Sequence, residues 1–368
     1  MKNRIIDLAL QIQQVAAPTF EESNRATLVQ RLFSAIPGLS DIEVCPKGNV
    51  YARIKGRSSN SPVVVSAHLD TVFPLNTPLA IRLDGNKIYG PGIGDNSISV
   101  ACLIALAEDL RYGNLDQDIW LVANTREEGL GDLAGMKAVV DRFGSSPGLY
   151  LVLEGLGIDH LIHNGIGVKR YKITANSQGG HSWADFGTPS AIHQMAKLVD
   201  LISQIKVPKE PKTTFNVGKI IGGTSINTIA AQATIELDLR SKSEVALRHL
   251  DQQVLAIIGQ MNRDGAQFST EVIGERPSGI LSSSHPALRH AQDLLKASGM
   301  EPILMAGSTD ANVPLSKGYP SFVMGVTRGG GTHTVQEFIE TDDIDVGYRN
   351  LREMVIWAGT DQVKPLPI

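Results

Sequence analysis

An imidazole and a carboxylate stand two positions apart in "VVVSAHLDTVFP" (63–74), just where three consecutive valines suit the buried middle of a strand. His68 and Asp70 are not alone. Asp95 lies in "GPGIGDNS", Glu127 and Glu128 follow "IWLVANT", Glu154 ends "LYLVL", and His333 follows "SFVMGV" across "TRGGGT". Taken singly, each reads as a charge on a surface loop. Brought to one place, they make two histidines and five carboxylates with no basic residue among them except Arg126. Such a group repels itself and raises some of its own pKa values unless cations sit within it. Imidazole and carboxylate without thiolate suits zinc, cobalt or manganese better than calcium or copper(I).

The elements that must position them can be read from the patterning. Residues 1–165 alternate between helix-like and strand-like segments: helices over about 2–16 and 21–35, then strands in "NVYARIKG" and "PVVVSAHL". "SISVACLIALAEDLRYG" has apolar residues at 98, 100, 103, 104, 107 and 110, a helical spacing that stops at Gly113. "DIWLVANT" and "LYLVLEG" read as strands around a helix in "DLAGMKAVVDRFG" that ends at Gly144. Near-continuous apolar strands alternating with helices predict a central mixed, mainly parallel sheet flanked by helices, an α/β domain. Every candidate residue then falls at the carboxyl end of a strand or just beyond it, the edge where open α/β sheets bind ligands.

The pattern changes after "HNGIG" (163–167). "VKRYKITANS" alternates, and a helix comes next in "TPSAIHQMAKLVDLISQI", with Thr188 expected as its cap and Pro189 at its first position. Strands in "TTFNVGKII" and "ATIELDLRS", a helix over 244–263 and a strand in "FSTEVIG" complete a β-α-β-β-α-β order, that of a ferredoxin-like α+β module. Past "ERPSG" the chain returns to helix, strand ("SFVMGV") and a final helix opened by "TDD". Residues 166–275 are therefore expected as an insertion into one discontinuous domain made of 1–165 and 276–368.

Composition excludes several classes. Lys+Arg 34 against Asp+Glu 38 gives a net charge of −4 without a block of like charge, which is not the footprint of a nucleic-acid binder. No apolar run approaches the ~20 residues of a membrane span. "MKNRIIDLALQIQQVAAP" contains Asp7 and three glutamines, an amphipathic helix and not a signal-peptide core. Cys45 and Cys102 are too few for a disulfide framework, so a cytoplasmic location is the expectation. "GPGIGD" resembles a dinucleotide-binding glycine loop, but the third glycine position is Ser97, which argues against a dehydrogenase.

"HLDTVFP", "GIGDNS", "REEGLGD", "LVLEG" and "GGGTHT", in this order around an inserted module, resemble the zinc-dependent exopeptidase family of aminoacylase, succinyl-diaminopimelate desuccinylase, bacterial glutamate carboxypeptidase and peptidase T. The resemblance implies two divalent metal ions, zinc first, with Asp95 bridging them. His68 and Glu154 would complete one ion, Glu128 and His333 the other. Asp70 would accept the second N–H of the His68 ring, and Glu127 would be the general base. His181 in "SQGGHSW" would reach a partner subunit's site and stabilise the oxyanion, which implies a homodimer through the inserted dimerisation (lid) domain. A turn histidine after two glycines is the plainer reading of His181. Asn227 and Arg240 match positions that contact substrate, although Arg240 also fits a solvated sheet face. Asp95-Asn96-Ser97 departs from the Asp-Met-Lys or Asp-Asp-Lys of many relatives, which bears on substrate class. "AGSTDAN" (306–312) matches the family's substrate-side loop only loosely. His193, His249 and His290 are expected on polar helix faces, His285 before a helix-opening proline, and His160 and His163 at surface positions. The expected activity is cleavage of an amide in a small peptide. Deacylation of an N-acyl amino acid and a non-catalytic metal-binding relative are the alternatives.

Overall fold

The computed structural model describes residues 1–113, 115–263 and 267–360. The chain forms two compact units, Met1–Gly165 with Ile280–Ile368, and Ile166–Gly279. In the first unit the strands Gln117–Asn124, Ser58–His68, Leu149–Leu156 and Ser321–Thr327 lie side by side and run parallel. Val50–Ile54 pairs antiparallel on one flank and His160–Gly165 on the other, so the sheet is mixed with a parallel centre. His68 is level with Asn124, and Glu154 is level with Gly325, so the carboxyl ends of all four parallel strands open on one edge.

Hydrophobic burial explains the layers. Val63, Val64, Val65, Leu121, Leu151 and Phe322 are fully buried, as expected for strands covered on both faces. The helix Ile98–Leu110 is buried beyond its six spaced apolar residues, with Ser99, Ala101, Cys102, Ala105 and Leu106 buried as well. Only Glu108 and Asp109, near its end, reach solvent, so the helix packs inside protein along most of its length. "TRGGGT" is not a loose link, since Gly329–Gly330 pairs with Phe338–Glu340 and extends a small sheet through Lys87–Tyr89 to Arg82–Asp84. Composition alone concealed these short strands. His160 and His163 lie on the strand His160–Gly165 and are half-buried, the His163 ring contacting the Leu281 carbonyl at 2.7 Å.

The second unit has four antiparallel strands in the spatial order Thr213–Gly222, Gln232–Ser241, Gly167–Asn176, Gln267–Arg276. The helices Ala191–Ser203 and Glu244–Arg263 cover one face through Met195, Leu198, Leu250 and Val254. The first helix starts later than its sequence suggests. Thr188 donates its N–H to Asp185 in the preceding turn, and the chain stays extended through Ser190 (ψ 130°), which takes the cap position. No described helix is long and apolar enough to cross a membrane.

Candidate metal centre

The candidate residues arrive from five places on the parallel edge. His68 is the last residue of Ser58–His68 and is 2% exposed. Its Nδ1 lies 3.0 Å from the backbone carbonyl of Asp70, which fixes the proton on Nδ1 and leaves Nε2 as the lone-pair nitrogen. The Asp70 carboxylate, expected to take that N–H, is farther away at 3.6 Å. It has other work, because a residue two positions along an extended chain offers its carbonyl before its side chain can turn back.

Asp95 sits in an irregular turn, Ile93–Ser97, where Asp95 (φ −115°, ψ 87°) and Asn96 (φ −134°, ψ 29°) leave helical geometry. Three side chains hold this turn through four hydrogen bonds. Glu337 Oε1 accepts the N–H groups of Gly94 (2.7 Å) and Asp95 (2.8 Å), Asn96 donates its amide to the Leu153 carbonyl (2.8 Å), and Ser97 Oγ donates to the Gly92 carbonyl (2.6 Å). Asn96 is fully buried, and its side chain serves the turn. Gly155 permits the approach: a Cβ there would lie 1.9 Å from the Gly94 carbonyl oxygen.

The segment 125–128 leaves no N–H unmet. Asn49 Oδ1 accepts from Thr125 (3.1 Å), Glu22 Oε1 from Arg126 (3.1 Å), Asp70 Oδ1 from Glu127 (3.0 Å) and Asp70 Oδ2 from Glu128 (2.9 Å). Four consecutive backbone donors, three captor side chains and no regular structure describe a loop whose shape is held by side chains. Thr19 Oγ1 adds a third bond to Asp70 at 2.9 Å. Behind it lies fully buried Arg25, which donates to the Val15 and Leu69 carbonyls. Burial lowers its pKa to about 10 against the attraction of Asp70. Arg126 is therefore not the one cation near the acids.

The side chains converge. His68 Nε2 is 3.0 Å from Asp95 Oδ1 and 3.6 Å from Glu154 Oε2, while His333 Nε2 is 3.2 Å from both Asp95 Oδ2 and Glu128 Oε1. Asp95 thus divides its two oxygens between the two imidazoles. One ligand atom each from His68, Asp95 and Glu128 falls within 4.8 Å of the others. Burial works against ionised Asp95, but His333 and His68 outweigh it and hold the group well below the usual carboxylate range. Burial raises Glu154, with Asp95 and Glu128 adding to the rise against His68. Asp95 and Glu128 together lift His333 to about 10. The acids pull on positive charge at both Nε2 atoms, and a divalent cation supplies that charge without titrating. The donor set fits such ions: two imidazoles, three carboxylates, and no thiolate, since Cys102 is buried in the central helix.

Two further acids carry no clear signal in the sequence. Asp310 is fully buried, accepts from Asn124 Nδ2 at 2.6 Å, and is pushed up to about 7 by burial, with Glu154 and Asp70 adding to it. Glu337, also buried, is pushed to about 7 by burial and by Asp95. The "AGSTDAN" resemblance points at the first only as a substrate-side loop, whereas its position is interior. Glu337 lies four residues past His333, and only the fold brings it to Asp95.

His181, Asn227 and Arg240 belong to the second unit. Gly180–His181 pairs with Thr228–Ile229, and the Asn227 carbonyl accepts from Ser182 N–H, so His181 and Asn227 share one exposed corner. His181 Nδ1 accepts from the N–H groups of Trp183 (3.2 Å) and Ala184 (3.3 Å), which leaves Nε2 as the ring's donor. Arg240 lies on the polar sheet face and meets Asp238 of its own strand at 2.6 Å. His193 and His249 are exposed; His290 stacks on Trp357 with centroids 4.4 Å apart, and His285 caps the following helix through Ala287 N–H.

A sequence model described as peptidase family M20/M25/M40 matches residues 64–356. The chain belongs to this family. Hydrolysis of peptide or linear amide bonds is its reaction class. A peptidase M20 domain-containing protein of Schizosaccharomyces pombe is 25% identical over 348 residues, covering 92% of this chain and 78% of that protein. The chain spans about half the length of the curated fungal proteins named probable carboxypeptidase that it matches. Among solved structures, a tripeptidase from Staphylococcus aureus superposes with a TM-score of 0.83 at 18% identity, over 98% of this chain and 99% of that one. A Bacillus subtilis protein described as a dinuclear metal binding peptidase of this family gives 0.71 at 17% identity, over 99% of each chain. Both share the fold of this family member.

Proposed function

We propose that this M20 chain is a co-catalytic di-metal exopeptidase that cleaves the amide next to a free terminus of a small peptide. The division of Asp95's two oxygens between His68 and His333 carries the reading, because it would let one carboxylate serve two adjacent cations. His68 and Glu154 would hold one ion, Glu128 and His333 the other, zinc suiting this donor set best. When bound, such a pair supplies an acidified water and polarises the scissile carbonyl.

The chain's own residues do the rest. Glu127 takes the proton from the attacking water and returns it to the leaving amine. Its backbone is tied through Asp70 to the strand end that carries His68, so base and imidazole are set by one short piece of chain. Asp70 acts as an orienting acid for this loop. His181 offers an Nε2–H donor at an exposed corner, suited to a developing oxyanion. Asn227 beside it and Arg240 would bind the substrate's polar ends, although Arg240 shares its charge with Asp238. Trp183 (87% exposed), Phe186 (91%) and Ile226 flank that corner, an apolar surface that fits a second copy and supports homodimerisation through this unit.

The deciding experiment is an assay of dipeptides, tripeptides and N-acetyl amino acids with Zn²⁺, Co²⁺ or Mn²⁺, in the parent and in Glu127→Gln. Peptide cleavage lost by about 10³-fold or more in the variant is expected. A parent inactive on every substrate, or a variant close to the parent, overturns the proposal. Preferential cleavage of the N-acetyl substrates would make the chain a deacylase.

A further inference from the structure

Glu22 stands 104 residues before Arg126, in the turn that leads into the helix Ser23–Ser34, and its side chain is 3% exposed. Its Oε1 accepts two backbone N–H groups at once, that of Phe20 at 3.0 Å and that of Arg126 at 3.1 Å. Both donors belong to non-glycine residues in the left-handed region, Phe20 at φ 78° and Arg126 at φ 61°. A side chain larger than glycine rarely adopts that conformation unless its surroundings impose it. One oxygen therefore ties together two unfavourable turns that have no sequence reason to meet. The Arg126 guanidinium closes over the Phe20 ring at 5.4 Å, a second contact between the same two residues.

The tie matters because Arg126 immediately precedes the two glutamates. The N–H groups of Glu127 and Glu128 are taken by Asp70. The φ of Arg126 decides the direction in which the chain delivers Glu127. Asp70 can hold Glu127 at its own N–H, but it cannot set the turn before it; Glu22 does. We propose that Glu22 is a positioning residue that aims the general base Glu127 by holding the left-handed turn at Arg126. This rests on the reading of Glu127 as the base.

The role depends on an acceptor at the right reach and not on charge. Glu22→Gln keeps an oxygen at that reach, Glu22→Ala removes it, and Glu22→Asp draws it back by one methylene. In the metal-loaded full chain, with dialanine and trialanine as substrates, Glu22→Ala and Glu22→Asp are expected to lower kcat by about 10–100-fold, the cost of displacing a reacting group by about 1 Å. KM stays within about 3-fold, bound metal per chain is unchanged, and Glu22→Gln returns kcat to within about 3-fold of the parent. A purely structural residue would lower thermal stability without separating kcat from KM. Should Glu22→Ala fail to fold, Glu22→Asp against Glu22→Gln decides. The proposal is overturned if Glu22→Asp keeps the parent kcat, if Glu22→Gln falls as far as Glu22→Asp, or if lost activity tracks lost metal. Glu127→Gln, measured alongside, separates the layers. If it is active, the base assignment itself is wrong; if it is inactive while Glu22→Asp is normal, only the positioning role fails.

Discussion

Replacing Asp70 by Asn tests whether its carboxylate holds the loop 127–128 or the His68 ring. Asp70 is fully buried and accepts three hydrogen bonds, from Glu127 N–H, Glu128 N–H and Thr19 Oγ1, at 2.9–3.0 Å. An amide replaces one acceptor oxygen with a donor, so one of the two backbone N–H groups must face another N–H. A hydrogen bond to a charged acceptor contributes about 1.5–3 kcal/mol, and a buried donor left unmet costs about 1–3 kcal/mol. These overlap, so a destabilisation of about 2–4 kcal/mol is the working figure. The carbonyl of residue 70, which meets His68 Nδ1 at 3.0 Å, survives the substitution. Urea unfolding of the metal-free protein should therefore show the loss, while kcat falls about 10²-fold because Glu127 is no longer fixed. Burial opposes ionised Asp70, but His68 and the N–H groups of Glu128 and Glu127 outweigh it and keep its pKa below the usual range. A depressed carboxylate stabilises the fold above its unfolded pKa of about 3.9, and that contribution disappears as pH falls through the lower folded value. The gap between parent and variant should accordingly be full at about pH 6 and close below about pH 4. Equal stability at that higher pH, with kcat unchanged, would refute the loop-holding role.

Glu337→Ala removes the acceptor for the Gly94 and Asp95 N–H groups and should weaken divalent-metal binding about 10-fold or more, with Glu337→Gln nearer the parent; titration against a chelating dye checks this. For Asp310, held at about 7 by burial against an unfolded value of about 3.9, ionisation penalises the folded state. In chelator-treated protein, Asp310→Asn should gain stability relative to the parent as pH rises from about 4 to about 7 and hold a constant advantage above that; a difference independent of pH would contradict the buried-acid assignment.

Much of the fold was legible in local pattern. Apolar strands alternating with helices pointed to a covered mixed sheet, and placing His68 and Glu154 near strand ends, with Glu128 and His333 on the segments beyond, required only that the strands run parallel. The features that were not legible depend on contacts across the chain. No periodicity tells that the Asp70 carboxylate turns to Glu127 and Glu128 while its carbonyl meets His68. Glu22 and Glu337 look like ordinary surface acids in "FEES" and "VQEF" because their partners lie 104 and 243 residues away. The buried Arg25 was hidden within an otherwise amphipathic helix, where a cation normally marks the solvent face. The short strand at Gly329–Gly330 lay in a run of glycines that reads as a link.

One carboxylate joining two cations is the centre of the proposed chemistry. A crystal grown with Zn²⁺ and measured across the zinc absorption edge tests it directly. Two anomalous peaks about 3.5–4 Å apart are expected, one against His68 and Glu154, the other against Glu128 and His333, with Asp95 touching both. A single peak, or two peaks neither of which touches Asp95, would contradict it.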